Sequence, residues 1–283
     1  MKSKTRLIII GLVSAWMFVF GGIPLCLLVA TSFLEQHPEK FYEISFSLQS
    51  YFDLLNPVYL DVVVRSIRLS AITTILCLFI GYPFAWCTYK VQPRYRFFIL
   101  IMLMIPFWTN SLIRTYAIRM VLGTQGMVNK ILLSLGVIDT PIRFMYTEYA
   151  VVLGLIYLML PFMILPLFAN MEKLDYRLIE ASRDLGASPF NAFKKVVWPL
   201  TQSGVVAGCI MVFIPTMGMF YVATLLGGAK SLLIGNLIQQ QFLVSHNWPL
   251  GSAMSVVMIV IMALMLLAYN LFFRGLASKR LPI

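Results

Sequence analysis

Three features of this chain point to an all-α membrane protein built on six transmembrane helices. The first is composition. Of the 283 residues, 60% are hydrophobic and only 12% are charged, against about 45–50% apolar and about 25% charged in a soluble domain. A water-soluble fold of this length has too little interior to hide that much apolar surface, so a soluble enzyme is disfavoured. The second is patterning: the stretches 7–30, 69–89, 97–113, 149–169, 205–226 and 251–273 are almost free of charge. Each is close to the roughly 20 residues that a helix needs to cross the hydrocarbon layer. The third is where the charge between them falls.

The formal net charge of +11 would suit a nucleic-acid binder if it gathered on one face. It is instead divided between two sides. With the N-terminus in the cytoplasm and one crossing per span, the cytoplasmic pieces are 1–6, 90–96, 170–203 and 274–283. They hold fourteen of the 22 basic residues, while Glu35, Glu39, Glu43, Asp53, Asp61, Asp139 and Glu148 fall outside. This is the positive-inside asymmetry, and it predicts both termini in the cytoplasm and no nucleic-acid partner.

In chain order, the first apolar stretch has a basic start, but its 24 residues exceed the roughly 7–15 of a signal-peptide core. It is read as a retained span. Residues 31–64 form a long outer loop, predicted as short helices on the membrane surface with a break at Asn56-Pro57. A second outer segment, 120–148, is punctuated by Gly123, Gly126, Gly136 and Pro141. Pro24, Pro83, Pro106, Pro161, Pro166 and Pro215 lie in or beside the spans, where each removes a backbone donor and bends a helix. Cys26, Cys77, Cys87 and Cys209 all sit in apolar stretches without ligand spacing, so they read as reduced thiols and no metal site follows. His37 and His246 have no nucleophile or ligand cluster beside them, and no catalytic residue is predicted. With no repeat or linker, 1–283 reads as one polytopic domain.

The longest cytoplasmic piece, 170–203, carries most of the information. Leu174, Leu178, Ile179, Ala181, Ser182 and Leu185 recur at helical spacing. Gly186 breaks that helix, and Ser188-Pro189 can open another, with Ser at the N-cap and Pro at the first helical position. Phe190, Phe193, Val196 and Val197 form a stripe ending at Pro199. Two short amphipathic helices meeting at a glycine turn make either a knob for a partner's groove or a loop packed on its own spans.

Glu180-Ala181-Ser182, three residues, Gly186, nine residues, then Val196-Val197-Trp198-Pro199 resembles the cytoplasmic EAA loop of ABC-importer permeases. Ser, Val and Trp replace the family's Ala, Ile and Leu. Further stretches are similar to spermidine/putrescine permeases: 81–86 (GYPFAW), 106–114 (PFWTNSLIR), 136–141 (GVIDTP), 226–230 (LGGAK), 233–236 (LIGN) and 247–249 (NWP). The resemblance implies a type I ABC importer permease fold in a bacterial inner membrane. It implies a second homologous permease, two ATPase subunits that bind ATP and Mg, and an extracytoplasmic polyamine-binding protein. No cofactor is expected in this chain, which lacks a GxxxxGK[ST] phosphate loop. In the family the loop docks on the ATPase, which assigns coupling to Glu180, Ala181, Ser182, Asp184, Gly186, Ala187 and Pro199.

A polyamine is a flexible polycation, which carboxylates or aromatic faces can hold. The six apolar stretches contain no Asp or Glu, so aromatic walls are expected here and carboxylates from a partner. Trp108 is the leading candidate, followed by polar Thr109 and Asn110, although a tryptophan there also fits an interfacial belt. Tyr116, Tyr221 and Tyr269 are further candidates. Arg114 and Arg119 read as structural ion-pair or anchor residues, since a polycation route avoids unpaired positive charge. The alternatives are an ABC permease for another small solute and a stand-alone secondary transporter. The latter usually needs an intramembrane carboxylate or broken-helix ion site. A membrane-embedded enzyme lacks a reactive constellation.

Overall fold

The computed structural model describes residues 2–37 and 42–278, with side chains described over 6–267 apart from 38–41, Ile44, Ala229 and Lys230. Helix α1, Arg6–Thr31, widens into a π-turn over Phe18–Gly22 just before Pro24. An antiparallel hairpin of β1, Leu34–Glu35, and β2, Glu43–Phe46, follows, then one turn of helix, α2, at Gln49–Asp53. The surface helices expected for 31–64 are therefore in part a hairpin. The alternation of Ile44, Phe46 and Leu48 is the period-two signal of a strand, and Phe33 seals the hairpin by stacking on Phe46 with ring centroids 5.7 Å apart.

Asn56-Pro57 opens a helix where a break was expected. Asn56 Oδ1 accepts from the Val58 N–H at 3.1 Å, Pro57 takes the first helical position where its missing N–H costs nothing, and α3 runs Pro57–Lys90. Helix α4, Pro93–Trp108, then meets the pair α5, Ser111–Leu122, and α6, Met127–Ser134, at 90°. The third expected span is thus broken. Pro106 sits in a tight turn over Ile105–Trp108, and Thr109 is extended. Asn110 caps α5 by accepting from the Leu112 N–H at 2.8 Å.

Helix α7 is Glu148–Met171, capped by Thr147 Oγ1 on the Ala150 N–H at 3.2 Å, and α8 is Tyr176–Asp184. The next long helix, α9, is Pro189–Gly218. The fifth expected span, 205–226, is displaced accordingly: the helix starts sixteen residues earlier and stops at Gly218, and the chain re-forms helix over 220–227. Helix α10 is Ile234–Leu243 and α11 is Trp248–Ser278. Among the described residues, five helices are long and apolar enough to cross a membrane, or six if the bent pair is one span.

The chain divides into two compact units. The first, Met1–Val62 with Leu237–Met265, is centred on Leu237, Leu250 and Met254, packed by Leu54, Tyr59 and Val62. The hydroxyls of Thr31 and Ser252 share a 2.7 Å hydrogen bond across it.

The second unit, Val63–Asn236 with Leu266–Ile283, is built around α7, whose Val151, Leu155, Leu158, Met163, Ile164, Leu167 and Met171 are all fully buried. Helix α9 lies against it through Gly204 and Gly208. A Cβ on Gly204 would stand 2.6 Å from Asn170 Cβ and 3.0 Å from the Pro166 carbonyl oxygen; one on Gly208 would stand 2.7 Å from Met163 Sδ. Small residues four apart let two backbones approach this closely, the usual way that membrane helices gain packing energy. Gly204→Val or Gly208→Val is therefore expected to cost about 1–3 kcal/mol of overpacking, read as a lowered melting temperature of the purified protein. Gly11→Val is the control, since nothing lies within 4 Å of that site.

Candidate functional site

The segment between α7 and α9 folds as two helical arms around Gly186. Asp175 caps α8 by accepting from the Arg177 N–H at 3.0 Å. At the other end the Ala187 N–H donates to the Ser182 carbonyl at 3.0 Å and the Gly186 N–H to the Arg183 carbonyl at 2.8 Å. That pair of bonds, with a left-handed residue between them, is the Schellman closure. Gly186 has φ +83°, a backbone shape that an L side chain adopts only with strain. Ser188 then caps the second arm through the Asn191 N–H at 3.3 Å, with Pro189 next.

The second arm does not end at Pro199, contrary to the expectation from sequence. Over Phe193–Val197 the helix widens into a π-turn, closed by the Trp198 N–H on the Phe193 carbonyl, and continues as α9. A widened turn relieves the clash of a proline ring with the carbonyl behind it, so Pro199 is carried within the helix. The arms are pinned to the rest of the unit. Ile179, Ala192 and Val197 are buried, and Tyr82 shares a 2.9 Å hydrogen bond with Thr201. The Tyr82 ring lies 5.8 Å from those of Phe193 and Trp198, Asn170 Nδ2 donates to Ser203 Oγ at 2.6 Å, and Tyr89 O–H donates to the Leu174 carbonyl at 2.9 Å.

What remains exposed is the rim of the turn. Leu185 is 89% and Phe190 72% exposed, and Leu178 is also open. Glu180, Ala181, Asp184 and Gly186 are exposed beside them, while Ser182 and Ala187 are half-buried. Of the residues assigned to coupling, these six thus cluster at one corner. Pro199 is half-buried, ten residues into α9.

The pathway candidates are more scattered. Trp108 is 83% exposed at the break between α4 and α5, and Tyr116 is half-exposed on α5. The side-chain oxygen of Asn110 is used as the α5 cap. Tyr221 packs against the core and edge-on to Phe220. The side chain of Tyr269 lies outside the described residues. Phe107, next to Trp108, turns inward onto Phe162 at 5.7 Å, and the Arg114 guanidinium lies 4.1 Å from the centre of its ring. Arg114 therefore anchors through an aromatic face, and Arg119 donates to Tyr146 at 3.4 Å.

Sequence reasoning missed two supports. Buried Asn129 donates to the Gly123 and Ile142 carbonyls and accepts from the Ile142 N–H, closing the segment 123–142 on itself. Arg68 pairs with Glu148, one guanidinium nitrogen donating to both carboxylate oxygens at 2.7 and 2.9 Å. An asparagine in the apolar run of α6 was the signal for the first; nothing in the spacing foretold the second.

Helical spans, a broken third crossing and an EAA-type turn leading straight into a span define a permease subunit with the type I ABC importer fold. The chain belongs to the family of binding-protein-dependent transport system inner membrane components, whose pattern matches residues 64–281, and it is a multi-pass inner-membrane protein. Among its relatives, the spermidine/putrescine transport system permease protein PotB of Haemophilus influenzae is 49% identical over 268 residues, covering 95% of this chain and 94% of the relative. PotB of Escherichia coli K12 is 48% identical over 254 residues, covering 90% and 92%. A chain of a bacterial ABC transporter that imports the acidic polysaccharide alginate superposes with a TM-score of 0.77 at 15% identity, over 97% of this chain and 96% of that one.

Gly186→Ala is expected to weaken the turn by about 1–2 kcal/mol through its left-handed backbone. Gly186→Pro should open it entirely, because proline fixes φ near −65°. Both effects are measurable as faster proteolysis within 176–190 in membrane preparations, with Gly186→Pro cleaved faster than Gly186→Ala.

Proposed function

We propose that this chain is one permease subunit of an ATP-driven spermidine/putrescine importer. The observation that carries the reading is 47–49% identity with curated PotB proteins of several bacteria. The chain forms half of a translocation pathway with a second homologous permease, both termini in the cytoplasm. Two ATPase subunits hold ATP and Mg, and an extracytoplasmic binding protein delivers the polyamine. The subunit itself is the conduit, with no ATP hydrolysis of its own.

The turn at Gly186 is the element that engages the ATPase. Leu178, Ala181, Leu185 and Phe190 enter an apolar groove while Glu180 and Asp184 pair at its edge. ATP closure draws the two turns together, and α9 carries that movement into the membrane. The pathway rocks outward-open to receive substrate, and hydrolysis resets it. In the pathway, exposed aromatic faces such as Trp108 and Tyr116 hold an ammonium by cation–π attraction without trapping it, since the six apolar stretches contain no carboxylate.

Uptake of radiolabelled spermidine into cells lacking their own polyamine importer tests this. The complete transporter should restore uptake, and Phe190→Asp should abolish it with the subunit still in the membrane. Trp108→Ala should raise the half-saturation concentration about two- to tenfold, the loss of one cation–π contact. Uptake that persists without any ATPase subunit would overturn the importer reading. ATPase activity with no polyamine movement would overturn the substrate.

A further inference from the structure

The turn that joins α3 to α4 gathers three cations on three aromatic rings. Lys90 Nζ lies 5.2 Å from the centre of the Trp86 ring. The Arg94 guanidinium lies 4.5 Å from that of Tyr95, and the Arg96 guanidinium 5.2 Å from that of Tyr89. Arg96 also donates through Nε to the Val91 carbonyl at 2.8 Å, which closes the turn around it. Among the described residues none of the three forms an ion pair with a carboxylate. Asp175 lies near Tyr89, but its Oδ1 is occupied as the cap of α8.

Position gives the cluster its meaning. It lies at the end of one apolar helix and the start of the next, where a membrane surface must cross the chain. Lysine and arginine there meet lipid phosphates, and tryptophan and tyrosine rings sit at headgroup level. Lys90 and Arg94 are exposed and Arg96 half-buried, so their donors face outward while the rings hold the charged heads in place. The same turn touches the coupling segment. Tyr89, under Arg96, donates its hydroxyl to the Leu174 carbonyl at 2.9 Å, two residues before α8 begins.

We propose that Lys90, Arg94 and Arg96 form a binding site for the phosphate of an anionic phospholipid headgroup, and that its occupancy steadies the coupling segment through Tyr89. The aromatic rings orient the cations, and the lipid supplies the counter-charge that no carboxylate among the described residues gives them. Binding at this turn restrains Arg96, hence Tyr89, hence the carbonyl that leads into α8.

The lipid step does not depend on the transported substrate and is tested separately from it. The full-length subunit, purified in its complex, is placed in nanodiscs of phosphatidylcholine with or without phosphatidylglycerol, and retained lipid is counted by native mass spectrometry. The wild type should retain phosphatidylglycerol preferentially. Arg94→Gln should weaken that retention about fivefold, the equivalent of ~1 kcal/mol per basic residue at an anionic surface. The triple Lys90→Gln, Arg94→Gln, Arg96→Gln variant should lose the preference, and Arg94→Lys should keep it. In parallel, phosphatidylglycerol should slow proteolysis within 176–190 in the wild type and not in the triple variant. No preference in the wild type, or an unchanged preference in the triple variant, overturns the proposal. So does a triple variant that loses ATP hydrolysis equally in both lipids, which would place an ATPase contact on this turn instead. A failed spermidine assay with intact lipid preference would overturn the substrate reading and leave the site standing.

Discussion

The contact on which the second unit depends is the close approach of α9 to α7. Gly204 and Gly208 bring the α9 backbone against Pro166, Asn170 and Met163, on a helix whose inward residues are fully buried. In lipid, where helices gain little from hiding apolar surface, such van der Waals fit supplies much of the association energy. It also sets geometry. Because α9 is one helix from the cap at Ser188 to Gly218, whatever holds α9 on α7 holds the turn at Gly186 as well.

The second constraint is polar satisfaction. A backbone or hydroxyl group at membrane depth gains from an internal partner; Ser70 Oγ and Thr73 Oγ1 are buried without one, but five threonines find theirs locally. Thr74, Thr88, Thr115, Thr201 and Thr216 all return their hydroxyls to the carbonyl four residues back. Where the backbone leaves the helix, asparagine takes over. Asn129 closes one loop, and Asn236 bridges the Leu233 N–H to the Phe220 carbonyl. Two of the irregular stretches are thus closed by side-chain amides.

The features legible in sequence were those set by local chemistry. Apolar stretches marked the helices, and Ser188-Pro189 marked a helix start. The glycine between two helical stretches marked the turn at Gly186, which closes as a Schellman motif. The features that escaped were those where one local rule yields to another. Pro199 reads as a stop because it lacks a donor, yet the π-turn before it carries the helix on. Asn56-Pro57 reads as a break and acts as a cap. The stretch 97–113 reads as one span, but Pro106 and the extended Thr109 fold it back by 90°. The stretch 205–226 has the composition of a span and not its boundaries, because Gly218 and Met219 end the helix inside the apolar run. Among pathway candidates, composition named aromatics without saying which face water. Trp108 is open, whereas Tyr221 is half-buried against the core.

The proposed function adds one mechanical claim: α9 acts as a rigid lever between the turn at Gly186 and the membrane. The direct measurement is the amount of spermidine moved per ATP hydrolysed by the reconstituted transporter, with α9 intact or softened by Leu200→Gly with Gln202→Gly. Each glycine loosens a helix by about 1 kcal/mol, and neither replaces Gly204 or Gly208, which pack on α7. A rigid lever predicts that hydrolysis continues while spermidine moved per ATP falls sharply. An unchanged ratio in the softened helix would contradict it.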